Sequence, residues 1–136
     1  MVFRVGRSHR FVGINRSGLL IVRGANSISS ARAALRDAAR LAVRSRKVRL
    51  AGLRIQNIVA TTDLCQKLNL EEIALARAFD GCTYEPELFP GLVARFPGTR
   101  CTILLFASGK CVVVGARSLL EIRRRISETQ TMISRL

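Results

Sequence analysis

Ser108-Gly109-Lys110-Cys111-Val112-Val113-Val114-Gly115-Ala116-Arg117-Ser118 lies without a gap over Ser17-Gly18-Leu19-Leu20-Ile21-Val22-Arg23-Gly24-Ala25-Asn26-Ser27, at a shift of 91 residues. Each copy reads as two apolar strands joined by a serine-glycine turn, followed by a Gly-Ala-x-Ser passage into a helix. The same shift sets Arg4 on Arg95, so the chain divides into two related halves. Carried back by 91, Phe89 falls before Met1, and the first half is expected to be incomplete.

Outward from this repeat, strands are expected at Val2–Val5, Phe11–Ile14 and Leu19–Arg23, with a helix capped by Ser29 and Ser30 and running to about Val43. That helix spaces Arg32, Arg36, Arg40 and Arg44 four apart, a basic stripe opposite Leu35, Ala38 and Ala42. Ser45–Leu50, which holds Arg46, Lys47 and Arg49, reads with Ala51 and Gly52 as an exposed linker. This makes residues 1–52 a partial first repeat and 53–136 a complete second one. The second repeat is expected to hold strands at Leu53–Thr61, Gly81–Tyr84, Leu92–Phe96, Thr102–Phe106 and Cys111–Val114, with helices at Leu70–Arg77 and Leu119–Ser134. The class is α+β: an antiparallel sheet keeps its helices on one face and leaves the other free for a ligand.

Charge points to the ligand. The 136 residues carry 23 Lys and Arg against 9 Asp and Glu, a net +14. Such a balance calls for a polyanion, with nucleic acid ahead of an anionic membrane surface. Thirteen of the basic residues and one acidic residue fall within residues 1–54, against ten and eight in the remainder. No apolar run reaches membrane-spanning length. The four cysteines show no CxxC spacing and His9 is the single histidine, so neither a metal nor a cofactor is expected, and the thiols read mostly as core filler. Catalysis finds no pattern either. No nucleophile sits beside a base, no phosphate loop is present, and Glu71 and Glu72 are helix neighbours that diverge.

Ile55–Thr61, Lys67–Leu70, Tyr84-Glu85-Pro86-Glu87-Leu88-Phe89-Pro90-Gly91-Leu92 and Phe106–Lys110 resemble the TATA-binding protein family, and the internal repeat resembles its two halves. The tract from Tyr84 to Leu92 is the most specific part. Membership would imply a saddle made of one partial and one complete repeat, whose curved antiparallel sheet sits on a widened minor groove of A·T-rich promoter DNA while helices cover its convex face. Taken alone, Phe89 and Phe106 are ordinary core aromatics. The resemblance makes them a pair of wedges that intercalate and kink the duplex, flanked by Leu88, Pro90 and Leu104. Asn57 and Val59 match groove-floor positions, where an asparagine meets A·T acceptors and a valine fits where no guanine amino group protrudes. Arg4, Arg95, Lys110 and Arg117 match positions near phosphates. Glu85, Glu87 and Leu88 match the surface that meets the B-type initiation factor, and other basal transcription factors are implied on the helical side.

The chain departs from the family pattern in places. Asn15 stands at the counterpart of Phe106, and a groove-reaching threonine of each last strand is replaced by Arg23 and Val114. A single wedge pair implies a smaller bend and weaker A·T selection, while arginines of the first half add affinity that carries little sequence information. Arg23 is expected in a narrow A·T-rich groove. Two other functions stay open on the same residues. One is a protein-interaction module or decoy for initiation factors, and the other is a fold reused for RNA or a hybrid duplex. An edge of the first half is open to being unpaired, in which case either a second copy or another partner covers it, or the half packs differently. The resemblance implies a nucleus, with a cytoplasmic archaeal setting or a viral one open.

Overall fold

The structure, a computed structural model, describes the backbone of Val2–Val5 and residues 10–43 and 49–136. The side chain of Arg4, together with His9, Arg44, Arg46 and Lys47, lies outside the described residues. The chain forms two compact units, Met1–Arg54 and Ile55–Leu136, and its class is α+β.

In unit 1, strands β1 (Val2–Val5), β2 (Arg10–Ile14) and β3 (Leu20–Arg23) pair antiparallel in the order β1-β2-β3 and lead into helix α1 (Ile28–Val43). Alternation decides which face is covered. Val12 is fully buried beneath Ala34, Leu35 and Ala38 of α1, with Leu20, Val22, Leu50 and Leu53 packed around them. The helix is capped by Ser27, not by Ser29 and Ser30. Ser30 N–H donates to Ser27 Oγ at 3.1 Å and Ser27 N–H donates to Ser30 Oγ at 3.3 Å, a reciprocal capping box. Ala39 is buried where Ala42 was expected, and Ala42 is exposed. A 16-residue helix is about 24 Å long and overruns strands of four or five residues, which span about 17 Å at most.

Unit 2 pairs β4 (Ile58–Asp63), β7 (Lys110–Ala116), β6 (Thr102–Phe106) and β5 (Gly91–Arg95) in the order β4-β7-β6-β5. Helices α2 (Leu70–Leu75) and α3 (Leu119–Ile133) complete it. Leu92, Ile103, Leu105 and Val113 lie in one buried cluster with Leu70, Ile73, Phe79 and Ile122, which puts the helices on a single face of the sheet. Cys101 and Cys111 belong to that cluster, and burial pushes both thiols up to about 11.

Three expected elements shift. The strand expected from Leu53 begins at Ile58, because Leu53 is spent on the small core of unit 1 and the segment before Ile58 has no regular structure. The helix after Asn69 stops at Leu75 and continues as a tighter turn over Arg77–Phe79, which drops Phe79 into the core. Gly81–Tyr84 contributes one bridge, Thr83 to Val93, since the preceding turn ties Cys82 N–H to the Phe79 carbonyl at 2.9 Å.

The internal repeat holds at the level of register. Phe11 opposite Arg23, Val12 opposite Val22 and Ile14 opposite Leu20 recur, 91 residues on, as Thr102 opposite Val114, Ile103 opposite Val113 and Leu105 opposite Cys111. Val2 opposite Gly13 recurs as Val93 opposite Leu104. Gly18 and Gly109 both turn with positive φ, +81° and +90°, a conformation that a side chain disfavours. Ser118 caps α3 as Ser27 caps α1, accepting from Glu121 N–H at 3.1 Å.

Candidate nucleic-acid interface

The face of the unit 2 sheet that carries no helix is built by the strand period of two. Val93, Leu104 and Val112 are neighbours across three strands, with Thr61 next in line on β4. Thr102 and Val114 form the adjacent row. All are half-buried or exposed, whereas their in-strand neighbours Leu92, Ile103, Leu105 and Val113 are sealed in the core. The result is an apolar surface rimmed by polar groups, of the kind that marks a binding face.

Phe89 and Phe106 meet at one end of it. Their ring centroids lie 5.8 Å apart with planes at 65°, an edge-to-face pair. Phe106 stands opposite Gly91 in the β5–β6 ladder. A Cβ at Gly91 would come within 2.7 Å of Phe89 Cε1 and 3.0 Å of Phe106 Cε1, so the glycine makes the room in which both rings sit. The loop is held from behind, since the Glu85 carbonyl accepts from both Leu88 N–H and Phe89 N–H at 2.9 Å. Phe89 keeps 37% of its surface exposed and Leu88 keeps 81%. Glu85, Glu87 and Pro90 are exposed on the same loop. Phe89 is therefore accessible and Phe106 half-buried, and Leu104 shares the side of β6 that carries Phe106.

Asn57 and Val59 precede and enter β4, both exposed. Asn57 Oδ1 accepts from Gly115 N–H at 2.8 Å, which engages the carbonyl in the fold, while the amide NH2, which can only donate, has no acceptor among the described residues. Arg95 and Lys110 are exposed at strand ends, and Lys110 lies opposite Asp63. Arg117 lines a recess with Arg100, Arg124 and Arg125 at the start of α3. Arg124 and Arg125 are both engaged by Glu128, whose carboxyl is held below its usual range first by its bond from Arg124. Arg100 was missed from the sequence. Its signal was position, two residues ahead of Thr102 on the open row.

Unit 1 has an equivalent face with different chemistry. Phe11, Ile21 and Arg23 are exposed on it, with Gly13 where unit 2 has Leu104. Asn15 is a turn residue, its Oδ1 accepting from Leu19 N–H at 2.9 Å and Ser17 Oγ at 2.8 Å. Arg32, Arg36 and Arg40 are exposed on α1, which buries Ala34, Leu35, Ala38 and Ala39 against the sheet. They project from the side opposite to Phe11 and Ile21, so those arginines serve another surface than the open face, and Asp37 meets Arg40 at 3.9 Å within the stripe. Among the described residues no helix is long and apolar enough to cross a membrane.

Residues 52–136 match the family model described as transcription factor TFIID (or TATA-binding protein, TBP). TATA-box-binding protein 3 of Methanosarcina mazei is 37% identical over 120 residues, covering 86% of this chain and 65% of its own. The TATA-box-binding protein of Archaeoglobus fulgidus is 38% identical over 118 residues, covering 83% of this chain and 64% of its own. The chain thus spans just under two thirds of the length of these relatives. Among solved structures, Methanococcus jannaschii TBP matches with a TM-score of 0.83 at 33% identity, over 93% of this chain and 73% of that one.

Proposed function

This chain belongs to the TATA-binding protein family, and from that membership we propose that it binds A·T-rich promoter DNA through the minor groove and acts in transcription initiation, as a binding factor and not as an enzyme. The carrying observation is the edge-to-face pair of an exposed Phe89 and a half-buried Phe106 over Gly91. Opening a base step costs a few kcal/mol and is offset by the contacts that bending creates. Rings already held against each other lose little side-chain freedom on entering the stack. Leu88, Pro90 and Leu104 flank the opened step, and Val59 and Val114 line the floor. Asn57 offers donors to adenine N3 and thymine O2, which present acceptors only. Arg23 reads the narrow groove from unit 1, while Arg4, Arg95, Lys110 and Arg117 neutralise phosphates.

One wedge pair operates, because Asn15 is tied into its own turn. The test is a salt series on a TATA duplex, its G·C-substituted version and an RNA duplex, repeated with Phe106→Ala. The reading expects a TATA preference that the substitution reduces at least about fivefold, from stacking worth about 1–3 kcal/mol per base. Equal, salt-abolished binding to all three duplexes rejects it, and a preference for the RNA duplex reassigns the face to RNA.

The bound Asn15 side chain also favours a second reading, in which the chain is mainly a platform for initiation factors through Glu85, Glu87 and Leu88. Capture of a B-type initiation factor that survives Phe106→Ala and fails with Glu85→Arg supports that role. Its compartment is that of the promoter, the nucleus in a eukaryote and the cytoplasm in an archaeon.

A further inference from the structure

β3 is bonded to β2 on one side, and among the described residues no strand pairs with its other side. Its equivalent in unit 2, β7, is bonded on both sides, to β6 and to β4. Because β2–β3 and β6–β7 share one register, β4 is an internal template for what the vacant side of β3 accepts. β4 runs antiparallel to β7, with Asp63 opposite Lys110, Thr62 opposite Cys111, Thr61 opposite Val112 and Ala60 opposite Val113. Moved by 91 residues, these positions are Leu19, Leu20, Ile21 and Val22.

A second feature marks the same edge. Gly115 N–H is satisfied by the side chain of Asn57 at 2.8 Å. The N–H of Gly24, its counterpart with φ +77°, has no acceptor among the described residues. Edges that avoid pairing use proline, charged side chains or a bulge. Leu19–Arg23 has one charge, Arg23 at its end, and neither proline nor bulge, and Leu19 and Ile21 are 58% and 50% exposed.

Charge selects the occupant. Residues 1–54 hold thirteen basic and one acidic side chains, so a second copy would bring a like-charged unit to the edge. The side of β4 that makes the templated bonds is, besides, already paired with β7 in that copy. We propose that β3 accepts an extended, acidic segment of a partner protein as a fourth, antiparallel strand, in which an asparagine reaches Gly24 N–H and small or β-branched residues follow it. Main-chain bonds supply the affinity and alternate side chains the selectivity.

The experiment titrates the full chain with a synthetic peptide of sequence Gln56–Asp63 preceded by four glutamates, read by anisotropy and by amide exchange. Saturable one-to-one binding is expected, with Gly24 exchange slowed at least about tenfold. Replacing the peptide's asparagine by alanine should weaken binding about tenfold. Methylating alternate peptide amides, which leaves every charge in place, should abolish it. The proposal is overturned if the methylated or a scrambled peptide binds equally, since charge alone then suffices. Altered protection at Gly115 in place of Gly24 also overturns it, because the peptide has then displaced β4. So does concentration-dependent self-association that the peptide fails to reverse, which makes a second copy the occupant.

Discussion

Units 1 and 2 share strand register, turn glycines and capping serines, and differ on the face they present. Thr102, Leu104, Phe106 and Val114 in one correspond to Phe11, Gly13, Asn15 and Arg23 in the other. Residues that set the backbone path are distinct from residues that line the open face. A strand pair with a left-handed glycine turn and a serine cap folds with either set outward.

The sharpest way to break the comparison is at the shared turn. Gly109 and Gly18 have similar φ, yet a Cβ at Gly109 would strike the Gln66 carbonyl oxygen at 2.1 Å, while a Cβ at Gly18 meets nothing within 4 Å. The segment from β4 to α2 crosses the unit 2 turn, with Leu64 N–H bonded to the Gly109 carbonyl at 2.9 Å and Leu68 N–H to that of Ala107 at 3.0 Å. Gly109→Ala is expected to cost about 3–5 kcal/mol, strain and overpacking together, and Gly18→Ala about 1–2 kcal/mol. Urea midpoints of the two variants check this. Equal losses would mean that the crossing segment gives way.

Next in size is the face itself. Phe106→Ala should lower TATA-duplex affinity by about 1–3 kcal/mol, whereas Asn15→Ala should leave it within about 0.5 kcal/mol. Titration of both variants on one duplex decides whether wedge action is confined to unit 2.

The caps come after that. Ser27→Ala and Ser118→Ala should each cost about 1 kcal/mol of helix stability, visible as faster exchange in the first turn of α1 or of α3 alone. The smallest expected effect separates the two caps by pH. Arg117 N–H donates to Glu121 Oε2 at 2.9 Å, and this bond, first among the causes, holds the Glu121 carboxyl below the 4.5 of a free side chain. A lowered folded value gives stability that is complete above 4.5 and lost as the pH falls through the folded value. Acidification should therefore lower the protection of the Arg117 amide, its exchange taken relative to the intrinsic rate at each pH. The corresponding position in α1 is Ser30, a hydroxyl, so the Ser27 and Ser30 amides should not respond.

Much of this was legible because repeated local chemistry leaves repeated spelling. Ser-Gly and Gly-Ala-x-Ser each recur at one shift, and Cys101 and Cys111, read as core filler, are buried. Other parts were decided by tertiary context. Leu53 and Ile58 look alike in a run of alternating apolar residues, and the demand of a small core for a lid assigned Leu53 to unit 1. Asn57 reads as a polar strand residue, yet which half of its amide is engaged depends on Gly115, 58 residues away. The need for Gly91 arises from two rings that only the folded ladder brings together.

All four cysteines, Cys65, Cys82, Cys101 and Cys111, belong to unit 2. Cys65 is exposed, while Cys101 and Cys111, raised to about 11, carry about one thiolate in ten thousand at neutral pH. A short pulse of alkylating reagent therefore stops at the surface of the intact molecule and reaches the inner sulfurs when that half opens. The chain carries its own chemical clock for the unfolding of one repeat, and the sister repeat is silent to it.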